Sequence, residues 1–132
     1  MAELPEDVRA LIEGKEFWHV ATVNPDGSPQ VTPMWVMTRN GNIVLNSALG
    51  RRKTRNLEQN PRVAMSLIDP ENPYKNMQVQ GRVVDTVTGD QAEADIDTLS
   101  EKYTGKTPYP WRSPGEQRIT FLVEPTKVMV NG

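Results

Sequence analysis

Residues 42–69 read NIVLNSALGRRKTRNLEQNPRVAMSLID, and the fold turns on how this stretch divides. The apolar run Ile43-Val44-Leu45 opens a strand that continues through Asn46 and Ser47 (residues 43–47). Ala48, Leu49 and Gly50 lead out of it. Arg51, Arg52, Lys53 and Arg55 then put four cations into five residues, and Glu58-Gln59-Asn60-Pro61 follows. This reads as strand, turn and the first turn of a short helix that stops at Pro61, with residues 62–68 as the next strand. A helix start presents unpaired N–H groups and the positive end of the macrodipole. Cations sit poorly there, so a sequence that gathers them at a helix start points to an anionic ligand such as phosphate. The competing reading is a solvated charged face, the usual fate of such clusters.

Working outward, residues 5–14 predict a short helix with Pro5 at its start, Glu6 and Asp7 in the first turn and Gly14 as the stop. Its buried face is Val8, Leu11 and Ile12. Residues 17–23 (FWHVATV) predict a strand, Asn24-Pro25-Asp26-Gly27-Ser28 a turn, and residues 30–38 the returning strand of a hairpin. Asn40-Gly41-Asn42 predicts a second tight turn. Residues 69–75 form a loop and 77–87 a long strand, within which Gly81 marks a bulge or a close backbone approach. A helix is expected over 88–103, capped by Thr88 or Asp90, with Ala92, Ile96, Leu99 and Tyr103 as its buried stripe. Residues 104–115 form a loop, and 117–124 and 127–130 the closing strands. The class is mainly β with short helices, in a small barrel or closed sheet, as one domain over residues 1–132.

Composition narrows the function. The 132 residues are 24% charged and 36% hydrophobic, which suits a folded domain. The net charge is −2, so the basic stretch is local and favours a compact anion over nucleic acid. The chain has no cysteine, which excludes disulfides, thiolate metal sites and cysteine nucleophiles. No apolar run approaches the roughly 20 residues of a membrane span. Residues 1–7 are acidic with no signal-peptide core, so a cytoplasmic protein without a membrane partner is expected.

Little here suits acid–base or nucleophilic catalysis. His19, the only histidine, sits mid-strand and reads as a packed or surface strand residue. HExxH, GxSxG, Walker-type and GxGxxG patterns are all missing, and no metal site or catalytic side chain is expected. Asp95 and Asp97 read as facing water from different sides of the long helix. A phosphate seat without a resident nucleophile leaves two readings: a bound cofactor does the chemistry, or the domain only binds a ligand.

The segments PDGSPQVTPMW (25–35), NIVLNSALGRRKTRNLEQNPRVAMSLID (42–69), MQVQGRV (77–83) and KYTGKTPYPWRSPGEQRITFLVEPTKV (102–128) together resemble the split-barrel flavoprotein family of pyridoxamine 5′-phosphate oxidases. The likeness spans about residues 8–130 and is greatest toward the branch that uses the deazaflavin coenzyme F420. It implies a six-stranded split β-barrel of the FMN-binding type, homodimeric, with a cofactor groove at the subunit interface. It implies that Arg52 and Lys53 contact the cofactor phosphate and that Arg51 and Arg55 reach the anionic tail. Val31, Thr32, Pro33, Met34 and Trp35 would run beside the ring, and Asn46, Ser47 and Ala48 would meet the ring or ribityl chain. Asn76 matches a polar cofactor position, with Asn in place of the usual Gln. Trp111 and Arg112 would reach the site from the partner subunit, the alternative being a loop anchored by a packed Trp. Substrate would stack in a pocket shaped by Trp35 and Met37.

The implied activity is an F420-dependent oxidoreductase, a reductase that adds hydride to an activated double bond in a small organic substrate. Alternatives are an FMN-binding oxidase or reductase and a non-catalytic flavin or haem carrier. The oxidases carry an Arg/His constellation for the substrate phosphate near the C-terminus. Only Arg118 stands in that region here, which argues against pyridoxal phosphate synthesis.

Overall fold

The computed structural model describes residues 2–132, so Met1 of the acidic start lies outside the described residues. The elements in order are α1 (Glu6–Glu13), β1 (Trp18–Val23), β2 (Pro29–Met34), β3 (Met37–Arg39), β4 (Asn42–Ala48), α2 (Arg52–Gln59), β5 (Arg62–Ile68), β6 (Asn76–Thr88), α3 (Asp90–Thr104) and β7 (Arg118–Asn131). The seven strands form one antiparallel sheet in the order β2-β1-β5-β6-β7-β4-β3. Among the described residues, no helix is long and apolar enough to cross a membrane.

The expected strand over 30–38 is broken at Trp35-Val36, and this break defines the architecture. β2 and β3 lie at opposite edges of the sheet yet are only two residues apart in the chain. The sheet must therefore curl until its edges meet, and it is open there, without a ladder to close it. The freed backbone groups are met from α3 instead: the Val36 N–H donates to the Tyr103 hydroxyl at 3.1 Å, and Lys102 Nζ donates to the Val36 carbonyl. Those bonds satisfy groups that would otherwise be stranded in the interior. The sheet has seven strands, where the family resemblance implies a six-stranded barrel.

The two expected closing strands are one strand, β7, paired with β6 through a register shift at Gln80/Gly81. A Cβ on Gly81 would stand 2.6 Å from Val123 Cγ1 and 2.7 Å from the Glu124 carbonyl oxygen, so the bulge and the close approach expected of this glycine are one feature. Asn40 and Gly41 take φ of 53° and 82°, the left-handed pair that a two-residue hairpin turn between β3 and β4 requires.

The core gathers Trp18, Val20, Leu45, Met77, Phe121 and Val123, with Val8 and Ile12 of α1 packed into it. β4 is buried along Ile43–Ala48, because the core covers one face and α3 the other. α3 begins two residues later than expected, with Gly89 at its N-cap in place of a side-chain cap from Thr88 or Asp90.

Candidate functional site

The basic junction has the expected strand–turn–helix form. Gly50 turns the chain at φ 91°, Arg51 is the extended N-cap residue, and α2 ends at Gln59 with Asn60 as its C-cap before Pro61. The buried Thr54 hydroxyl donates to the Ala48 carbonyl at 2.7 Å and joins the helix's first turn to the end of β4. Buried Asn56 donates to Thr22 Oγ1 at 3.0 Å and Asn24 Oδ1 at 2.9 Å, which fixes the helix against the β1–β2 hairpin. With Thr54 and Asn56 inward, the four cations divide. Arg51 and Lys53 face a cavity, while Arg52 and Arg55 are exposed outside it.

That cavity, of about 170 Å³, is lined by Phe17, Pro33, Met34, Trp35, Asn46, Arg51, Lys53, Ile96, Leu99, Tyr109 and Arg118. It brings together six of the expected cofactor contacts: Pro33, Met34, Trp35, Asn46, Arg51 and Lys53. Thr32 joins them at the edge, accepting a hydrogen bond from Lys53 Nζ at 3.1 Å. Ser47 and Ala48 are buried outside the lining, and Ser47 Oγ has no hydrogen-bond partner. Arg52 is exposed outside the lining, near the hairpin, where hydrogen bonds from Ser28 hold Asp26 below the usual carboxylate range and the Arg52 charge adds the least. Val31 and Asn76 lie with His19 along a separate concavity of about 510 Å³. Trp111 is half exposed and packs edge-on to Tyr109. Arg112 bonds Glu93, Asp97 and the Tyr109 carbonyl, so within this chain it anchors a loop.

One wall of the cavity is cationic. Burial, and then the charges of Arg51 and Arg118, hold Lys53 below the ordinary lysine value. Arg118 is buried. Its Nε donates to Asn46 Oδ1 at 2.9 Å, and Asn46 donates to the Ala92 carbonyl at 2.9 Å and to Thr120 Oγ1 at 3.0 Å. Thr120 donates to Asp95 Oδ2 at 2.7 Å, and Asp95 takes a two-pronged contact from Arg39 at 2.5 and 3.3 Å. Asp95 therefore does not face water as expected: it is the buried end of a polar chain running to the cavity. The other wall is aromatic, with Trp35 stacked on Tyr103 at 5.4 Å and meeting Tyr109 edge-on at 6.1 Å. A cationic wall beside an aromatic one suits a planar ring that carries an anion.

The sequence pattern did not single out Tyr109, left Arg118 as an isolated remnant of the oxidases' phosphate constellation, and turned Asp95 to water. Arg118 carried a signal, since it opens the apolar run Ile119–Val123, where a charge needs a partner or a task.

A model of the family described as pyridoxamine 5′-phosphate oxidase matches residues 4–129. The chain belongs to the pyridoxamine 5′-phosphate oxidase family. It is similar to a solved structure described as an F420 reductase, with 37% identity over 96% of this chain and 98% of that one and a TM-score of 0.83. More distant family-like folds include a conserved hypothetical protein from Mycobacterium tuberculosis (20% identity, 99% and 86% of the two chains, TM-score 0.76). Another is the haem storage protein HutZ from Vibrio cholerae (19% identity, 99% and 96%, TM-score 0.67). Among curated proteins no sequence matches.

Proposed function

We propose that this protein is an F420-dependent reductase acting on an activated double bond in a small organic substrate. The observation that carries the reading is the convergence of Arg51, Lys53 and Arg118 beside the Pro33–Trp35 segment and its aromatic neighbours. The 37% identity with an F420 reductase over nearly the whole chain supports it.

The residues fit such a cofactor. Arg51 and Arg118 share one ion-pair partner among the described residues, Glu116, and Lys53 has none, so the wall keeps an excess of positive charge. Lys53 and Arg51 would hold the phosphate. Among the described residues β2 is an edge strand paired with β1 alone, so its outward backbone groups are free for the polar edge of a ring. Trp35 and Phe17 would exclude water from the ring's face. When bound, the deazaflavin supplies the hydride-carrying centre, and the protein need provide only binding and orientation.

A cavity of about 170 Å³ is smaller than the roughly 300–1,000 Å³ usual for ligand pockets. One chain would then supply part of a groove, with a second copy completing it. The open outer sheet face, where Val31 and Ile68 are more than half exposed, gives that copy an apolar surface to cover. FMN is the second reading, because Arg55 lies outside the cavity lining, and with Arg51 at the phosphate no further cation of the basic cluster lines the cavity to meet a longer anionic tail.

Titration with F420 and with FMN, followed by fluorescence, tests the proposal. Micromolar binding of F420 is expected, and failure of both cofactors to bind would overturn it. Turnover of an enone panel with reduced F420 separates a reductase from a flavin or haem carrier.

A further inference from the structure

Glu116 is an acid in a place that asks for a ligand. It lies two residues before β7, its side chain is 8% exposed, and it stands between two cavity cations. Its Oε1 lies 3.4 Å from Arg51 Nη2, and its Oε2 lies 3.3 Å from Arg118 Nη1. Both contacts are long for charge-assisted hydrogen bonds, which run at about 2.7–2.9 Å. The Arg118 contact also lacks hydrogen-bond geometry: Glu116 Oε2 and Arg118 Nη1 are both buried with no hydrogen-bond partner. Arg118 is 3% exposed, and Asn46 holds it from behind through Nε, so the guanidinium is fixed while its counterion is poorly seated.

We propose that Arg51, Lys53 and Arg118 form one oxyanion seat and that Glu116 is its resident counterion, displaced by the phosphate or carboxylate of an incoming ligand. As an account of the same site the inference rests on the proposed function, but it adds Arg118 as a ligand contact and Glu116 as a competitor for the seat. Three features favour exchange. The carboxylate's two contacts are loose, so leaving them costs little. A phosphate offers more acceptor oxygens than a carboxylate and could engage Lys53 as well, which Glu116 does not. The turn that carries Glu116 is flanked by Gly115 at φ 77°, with Ser113 accepting the Glu116 N–H at 3.0 Å, so the acid sits on a short loop rather than in a ladder.

The test uses the full chain and its Glu116→Gln variant, with folding checked by circular dichroism. The first probe is inorganic phosphate, read as the rise in Tm at constant ionic strength. The half-saturating concentration is expected to fall at least threefold in Glu116→Gln, because the competitor has lost its charge. An unchanged or higher concentration overturns the proposal. Arg118→Met should raise it at least tenfold and Arg118→Lys should recover part of that loss. If Arg118→Met does not fold, Glu116→Gln decides alone. F420 and the deazaflavin that lacks its phosphate then identify the ligand. Tightening of F420 alone by Glu116→Gln assigns the seat to the cofactor, whereas a phosphate effect without an F420 effect assigns it to a substrate oxyanion. If wild-type protein binds neither F420 nor FMN while the phosphate result holds, the proposed function fails and the seat stands.

Discussion

Asp95→Ala is the substitution that most directly tests the buried polar chain. The Asp95 side chain is 2% exposed and accepts from Arg39, Thr120 and Gln91. Removing one member of a buried ion pair costs about 3–5 kcal/mol, because the partner charge is left uncompensated. Arg39 keeps 31% of its side-chain exposure, so water softens its loss and the lower end applies, about 3 kcal/mol. For a domain of this size that corresponds to a fall in Tm of roughly 10–15 °C. Asp95→Asn keeps the shape and loses the charge, and should cost about half as much, near the ~1.5 kcal/mol of one hydrogen bond to a charged group. Acid titration gives a second readout. Burial pushes the Asp95 carboxyl up, but hydrogen bonds from Arg39, Thr120 and Gln91, with the Arg39 charge, pull it further down, so the net value lies below the ordinary one. A depressed folded value means the contribution is present above the unfolded value of about 3.9 and is lost as pH falls through the folded value. Asp95→Asn should therefore flatten the acid limb of stability below about pH 4. Urea denaturation from pH 2 to 7 measures both. A loss under about 1 kcal/mol for Asp95→Ala at pH 7 would refute the buried pair as a structural element.

Lys53→Ala should weaken F420 binding by about 1.5–3 kcal/mol while sparing the deazaflavin without a phosphate, and an unchanged affinity removes Lys53 from the seat. Gly81→Ala should destabilise by about 1–3 kcal/mol in urea, since its Cβ would press on Val123 and the Glu124 carbonyl; a neutral substitution would mean that β7 yields there. Burial lowers Lys102 to about 8 against the opposing charge of Glu13. Between about pH 8 and roughly 10.4 the unfolded chain then binds the extra proton, so the Lys102 contribution rises with pH, and Lys102→Met should remove that rise from a pH series of unfolding curves.

The fold was legible where the code is local. The run Ile43–Ser47, Gly50, the cations and Pro61 mark strand, turn and helix within twenty residues, and the structure follows them. Legibility ended where long-range pairing decides. No local signal breaks the expected strand at Trp35-Val36. The break arises because β1 and β4 claim the flanking residues while Tyr103 and Lys102, far along the chain, satisfy Val36. The site shows the same division. Arg51 and Lys53 were readable as cations at a helix start, but which cations turn inward depends on Thr54 and Asn56 docking on β4 and β1.

Asp95 is the instructive case, because the geometric signal was present and residue type overrode it. It lies three residues after Ala92 and four before Leu99, on the buried stripe itself, whereas Asp97 lies off it. A carboxylate on such a stripe demands a buried cation or donor, and the chain supplied Arg39 and Thr120, 56 and 25 residues away. The same logic reaches Arg118, a guanidinium opening a buried strand. Pattern reading assigns charges to the surface, so it fails at the positions where a fold keeps charge inside. Such conflicts between residue type and location concentrate at functional sites. Asp95, Arg118 and Glu116 all break the rule, and the last two meet beside the cavity. Their joint departure is thus a stronger pointer to the site than Arg52 and Arg55, exposed cations outside the cavity lining that obey the rule and need no ligand to explain them.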